Sequence, residues 1–226
     1  YKIYPIADNE LPKLSADRFE YTFSSGLTFF RVWDLEKVKK MYNNIIIVKN
    51  EEVLDEFAFK DKEVAEEYID TISKLWPEWI KDENRTVMQF LADICMSMKN
   101  AHYLNLNDLY TLSEKEIIDK ILNCNDTYLS ESFKKFLDAD KVYKSDYPVE
   151  NKYSVNVKSK TRYIIPLVQT EDGPKRITEI SKKANKQINE FLNAPKGGYY
   201  TYFDFDFIPY YDEIKTKKYI KKPNLL

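Results

Sequence analysis

Glycine is scarce in this chain: there are four, against an average usage of about 7%. No GxGxxG or GxxxxGK spacing occurs, which excludes a loop whose backbone cradles phosphates. Cysteine is nearly as rare. Cys95 and Cys124 show no CxxC spacing, which excludes a disulfide scaffold and a cysteine zinc site and reads as two thiols in a reducing, cytoplasmic setting. Long apolar runs are missing too. The longest is Ile45, Ile46, Ile47 and Val48, far short of the roughly 20 residues that span a bilayer, so no membrane contact is expected. Charge of one sign is absent: 35 Lys plus Arg face 37 Asp plus Glu, for a net charge of -2. A nucleic-acid partner is therefore not indicated by charge and would need a local basic patch.

What is present is enough apolar material for a core: 43% of 226 residues are hydrophobic, with 18 tyrosines and 13 phenylalanines. That size suits one large domain or a main domain with an annex. The chain begins at Tyr1 without methionine, and its aromatic, proline-punctuated opening reads as the middle of a longer polypeptide.

Helical patterning dominates the first part. Ser15 caps a predicted helix over 16–23 that stops at Gly26, and Asp34 caps another running to about Tyr42. Ile45 to Val48 and Glu56 to Phe59 flank a polar turn and suggest a hairpin. Val64, Tyr68, Ile72, Leu75, Trp76 and Trp79 follow helical spacing across 60–80, with Pro77 kinking or restarting the helix. Val87, Phe90, Ile94 and Met98 repeat it, Ser113 with Glu116 forms a capping box, and 130–137 reads as a further helix. After about residue 140 the pattern changes. Tyr153, Val155 and Val157 alternate with polar residues in a strand pattern extending through Ile165, a helix is predicted over 174–192, and 199–207 alternates again. Residues 215–222 read as a basic tail. The expected fold is mainly α: a helical body over 1–140, followed by a small α+β appendage over 141–226.

Four stretches carry candidate chemistry. In the first, Asp17 falls in the first turn of a helix, where a carboxylate complements the helix dipole, with Arg18 as an ion-pair partner and Tyr21 one turn on. In the second, Lys158, Lys160 and Arg162 share one face of the inferred strand, either as a solvated stripe or as contacts for a substrate phosphate. In the third, 199–207, one face is Tyr199, Thr201, Phe203, Phe205 and Phe207, a buried face or a base-stacking one, while Asp204 and Asp206 on the other face form a soft metal-pair candidate. In the fourth, Trp76 and Trp79 bracket Pro77 and serve core packing or a partner interface. His102, the only histidine, ends a helical pattern as a cation complementing the dipole, or is a base lacking identifiable partners.

The stretch Asp17-Arg18-Phe19-Glu20-Tyr21 resembles the Asp-Arg-x-Asp-Tyr segment of the dNTPase-like branch of the HD-domain phosphohydrolases. Gly26, the stretch from Phe57 to Phe59 entering a long helix, and residues 157–163 look like the C-terminal portion of such proteins. The resemblance implies a helical HD-like body and a metal-dependent hydrolase acting on a nucleotide or other phosphate ester, in proteins that often form homo-oligomers. It implies that Asp17 is the last ligand of a divalent metal (Mn, Mg, Fe, Ni or Zn), supported by Arg18 and Tyr21. The sequence departs from the pattern where Glu20 replaces the second Asp, and no His-Asp dipeptide is present. The expectation is that the remaining ligands lie upstream of Tyr1 and that this segment alone is inactive, since one carboxylate cannot activate water on a metal. The alternative from a different class is a non-catalytic helical scaffold or binding module, in which Asp17 only starts a helix.

Overall fold

A computed structural model describes residues 3–158, 160–195 and 197–210; the basic tail expected at 215–222 lies outside the described residues. In chain order the elements are α1 (Ala16–Ser24), a π-helical turn (Ser25–Phe29), α2 (Leu35–Asn43), β1 (Ile45–Lys49), β2 (Asp55–Phe59) and α3 (Lys62–Trp79). Next come α4 (Asp82–Asn100), α5 (Leu106–Thr111), α6 (Glu114–Leu122), α7 (Thr127–Leu137), β3 (Tyr143–Ser145) and β4 (Ser154–Val155). The chain continues through β5 (Leu167–Thr170), β6 (Gly173–Arg176), α8 (Ile177–Ile180), α9 (Lys182–Asn193) and β7 (Tyr200–Tyr202). No described helix is long and apolar enough to cross a membrane.

These elements form two compact units that interleave along the sequence: Tyr1–Ile80 with Lys160–Pro195, and Lys81–Ser159 with Lys196–Leu226. A single cut at residue 140 does not reproduce this division, because each unit takes elements from both sides of it: the first β1, β2 and α3 with β5, β6 and α9, the second α4 to α7 with β3, β4 and β7.

In the first unit the sheet order is β1-β2-β5-β6. β1 and β2 form the expected antiparallel hairpin, and β2 then pairs in parallel with β5, Ala58 opposite Leu167. α3 buries Val64, Tyr68, Ile72 and Trp76 at four-residue intervals, the stripe expected of a helix facing a core. Pro77 falls in its last turn, where it forgoes one i→i−4 hydrogen bond, and the helix ends two residues later at Trp79. Tyr68 anchors an aromatic cluster, stacked on Trp33 at 5.9 Å and meeting Phe59 at 5.3 Å. Gly26 does not stop α1. The chain continues into the π-helical turn, and a Cβ at Gly26 would collide with the Trp33 ring; the glycine serves close packing. A polar lock ties the sheet together: Arg176 of β6 grips the fully buried Glu56 of β2 at 2.6 and 2.9 Å and exposed Glu51 at 2.7 and 2.8 Å.

The second unit gathers α4 to α7 and a three-stranded sheet of order β3-β7-β4. Phe90 of α4 is fully buried and meets the rings of Phe136, Tyr153, Phe205 and Phe207 at centroid distances of 4.5 to 5.5 Å. The capping box at α6 forms as expected. α4 ends in a Schellman motif: Tyr103 N–H donates to the Met98 carbonyl at 2.8 Å and His102 N–H to that of Lys99 at 3.1 Å. His102 itself adopts φ 62 at the position that favours glycine. His102→Gly is therefore expected to stabilise the unit by about 1 kcal/mol, read as a raised denaturation midpoint; an unchanged or lowered midpoint would contradict it.

The architecture corrects the expected fold class. Among the described residues about 50% are helical and 13% are strand, in two small sheets, an α+β mixture and not a mainly helical body carrying a C-terminal appendage. The physical reason is long-range pairing. β2 finds its parallel partner β5 more than a hundred residues away, which local periodicity does not register. Two local expectations change as well. The strand predicted from Tyr153 to Ile165 shrinks to Ser154–Val155, and the helix predicted over 174–192 divides into β6, α8 and α9. Gly173 at φ 102 turns the β5–β6 hairpin, and Ser181, in extended geometry, accepts the Ala184 N–H to start α9 afresh.

Candidate functional site

In the first unit, two segments about 140 residues apart meet at a cleft of about 530 Å³, lined among others by Asp17, Tyr21, Trp79, Lys160 and Arg162. Ser15 creates the near side. Its buried Oγ accepts the Arg18 N–H at 3.4 Å and caps α1, which puts Asp17 in the first turn with its side chain exposed.

Arg18 supports this edge from behind. Its guanidinium donates to Asn9 Oδ1, to the Lys13 carbonyl at 3.0 Å and to Ser15 Oγ at 3.1 Å. Asn9 in turn donates to the carbonyls of Pro5 and Leu14 at 3.0 and 2.9 Å. With its donors used in this way, Arg18 pins the irregular segment leading into α1, and the side chain is only 13% exposed. It holds the site's edge and does not reach for a ligand.

Tyr21, one turn beyond Asp17, packs its ring on Trp79 at 5.3 Å. Burial pushes its phenol above the ordinary tyrosine value, while the adjacent Arg162 guanidinium works in the opposite direction. Lys160 and Arg162 arrive on the irregular segment before β5. Buried Ile164 and a hydrogen bond from Ile165 N–H to the Pro12 carbonyl at 2.8 Å anchor that segment. Trp76 also lines the cleft; it is fully buried and its indole N–H has no hydrogen-bond partner among the described residues.

The structure thus joins Asp17, Tyr21, Lys160 and Arg162, with Arg18 behind them. It does not make Lys158, Lys160 and Arg162 a stripe on one strand, because none of the three lies in a strand among the described residues; Lys158 belongs to the second unit and is exposed. In that unit Phe203, Phe205 and Phe207 are buried, as one of the two readings held, and Asp204 pairs with Lys152 at 2.6 Å. Trp79 was singled out in the sequence only for core packing or a partner interface, not for this cleft. Its signal was the three-residue step from Trp76, which places both indoles on one face of α3.

Among the described residues no group of three or more His, Cys, Asp or Glu side chains is arranged to hold a metal ion. Asp17 offers one carboxylate, too few for a divalent centre. The residues present here do not by themselves fit a resident metal. No family model, no curated protein and no solved structure matches this chain.

Proposed function

We propose that this chain is the C-terminal part of an HD-superfamily metal-dependent phosphohydrolase, and that its cleft binds the phosphate of a nucleotide or other phosphate ester. The observation that carries this reading is the meeting of Asp17 and Tyr21 with Lys160 and Arg162 in one cleft. Two cations side by side match a phosphate, and a guanidinium offers the fork geometry that phosphate oxygens accept. Asp17 is then one ligand of a metal whose other ligands come from outside this chain. What these residues supply is phosphate binding and orientation. Free Cys95 and Cys124 are in keeping with a cytoplasmic setting.

The test has two arms. Titrating a phosphate monoester into the chain, Arg162→Ala is expected to weaken binding about tenfold or more, the loss of a charge-assisted hydrogen bond, without lowering the melting temperature. In the native gene product, Asp17→Ala is expected to abolish phosphohydrolase turnover and to reduce bound metal measured by mass spectrometry. Unchanged phosphate affinity in the first arm and unchanged turnover and metal content in the second would together leave a non-catalytic scaffold as the better description.

A further inference from the structure

The backbone just ahead of α1 belongs to the near wall of the cleft, and its hydrogen bonds run to the far wall. The Pro12 carbonyl accepts the Ile165 N–H at 2.8 Å, the Lys13 carbonyl accepts Arg18 at 3.0 Å, and the Leu14 N–H donates to Glu56 Oε1 at 3.0 Å. Arg176 closes the circuit. Its Nη1 donates both to Glu56 Oε1 at 2.6 Å and to the Ile165 carbonyl at 2.9 Å. Glu56, Leu14, Pro12, Ile165 and Arg176 therefore form one closed ring within the first unit, and Ile165 is held in it by its N–H and its carbonyl alike.

Both walls of the cleft hang from this ring. Asp8, Asn9 and Glu10 line the cleft shortly before residues 12–14 and Asp17 shortly after them, while Lys160, Arg162 and Tyr163 line it shortly before Ile165. Residues 160–163 belong to no helix or strand, so no ladder of backbone hydrogen bonds sets their place. Their course depends on what holds the chain at its end: the buried side chain of Ile164 and the two bonds of Ile165. A cation on a loose base has to be ordered by its ligand, and that ordering is subtracted from affinity; a fixed base removes the cost beforehand. Neither Glu56 nor Arg176 lines the cleft itself.

We infer that Glu56 and Arg176 are positioning residues for the phosphate site: besides joining β2 to β6, the pair fixes Leu14 and Ile165 to each other, and so holds the wall that carries Asp17 in register with the wall that carries Lys160 and Arg162. This rests on the phosphate-binding reading above and deepens it, because it names residues outside the cleft on which the cleft's affinity depends.

The test titrates inorganic phosphate by calorimetry, at a temperature where circular dichroism shows every variant folded. Combining Arg176→Ala with Glu56→Gln opens the ring without stranding a buried charge. This double variant is expected to weaken phosphate binding about fivefold and to speed hydrogen exchange at the Ile165 amide. Ile188→Ala, which opens a cavity in the same core from α9, is the control for lost stability alone; it is expected to melt lower and to bind phosphate as the parent does. A ring variant that melts lower yet keeps the parent's affinity would reduce the pair to a structural lock. Equal losses in the ring variant and in Ile188→Ala would mean general loosening, and either result overturns the inference. Arg162→Ala checks the premise separately. If it binds phosphate as the parent does, the phosphate reading itself fails; if it binds weakly while the ring variant is unaffected, only the positioning role is lost.

Discussion

Replacing Arg176 with alanine is expected to remove about 3 to 5 kcal/mol of unfolding free energy from the first unit, read as a lowered denaturant midpoint. The cause is the carboxylate left behind. Glu56 is fully buried; its Oε1 accepts the Leu14 N–H at 3.0 Å and its Oε2 accepts Asn50 Nδ2 at 3.0 Å, but its only cationic partner among the described residues is Arg176. Without the guanidinium a buried charge faces two neutral donors. Adding Glu56→Gln to the alanine variant should restore part of the loss, since it removes the stranded charge. Arg176→Lys should restore less than arginine, because a point ammonium cannot hold two carboxylates with parallel bonds. The lock also has an acid limb. Hydrogen bonds from Arg176 hold the Glu51 carboxyl below its ordinary value of about 4.5. A carboxylate with a lowered folded value contributes stability that is present above the unfolded value and is lost as pH falls through the folded one. That limb should flatten in Arg176→Ala; a variant with the parent's stability and the parent's acid limb would refute the account.

Phe90→Ala should cost the second unit a comparable 3 to 5 kcal/mol, the range for deleting a buried aromatic side chain. Phe90 stacks on Phe136 at 4.5 Å and meets Tyr153, Phe205 and Phe207 edge-on or nearly so. Those rings come from α7, the segment around β4 and the chain after β7, so the cavity cannot close by moving one element. Phe90→Leu should cost roughly half as much, because it leaves a smaller void. Loss of near-ultraviolet circular dichroism at a lower temperature is the readout, and a Phe90→Ala cost below about 1 kcal/mol would show that the site relaxes more freely than close packing allows.

Local chemistry was legible in the sequence. Ser15, Asp34 and Ser113 announced helix starts because a cap is a contact over three residues, and the buried stripe of α3 followed from spacing alone. Long-range pairing was not legible. Nothing in residues 167–170 names β2 as their partner, and the fold class came out wrong for that reason. Lys160 and Arg162 were singled out for a strand face that does not exist, yet two of those three cations do line the cleft with Asp17 and Tyr21. Arg18's task was hidden because its partner Asn9 lies in a segment without regular structure, and an irregular loop leaves no periodic trace.

The interleaving of the two units has a consequence for how the chain is made. A ribosome delivers β1, β2 and α3 long before β5, β6 and α9, and α4 to α7 long before β7. Neither unit can be completed on emergence of its own first half, so both wait for the final third of the chain with apolar faces uncovered. Such sequence-distant closure slows folding and prolongs exposure to misassociation. Any piece cut at a point between the two halves of a unit would carry an incomplete sheet, whichever half it kept.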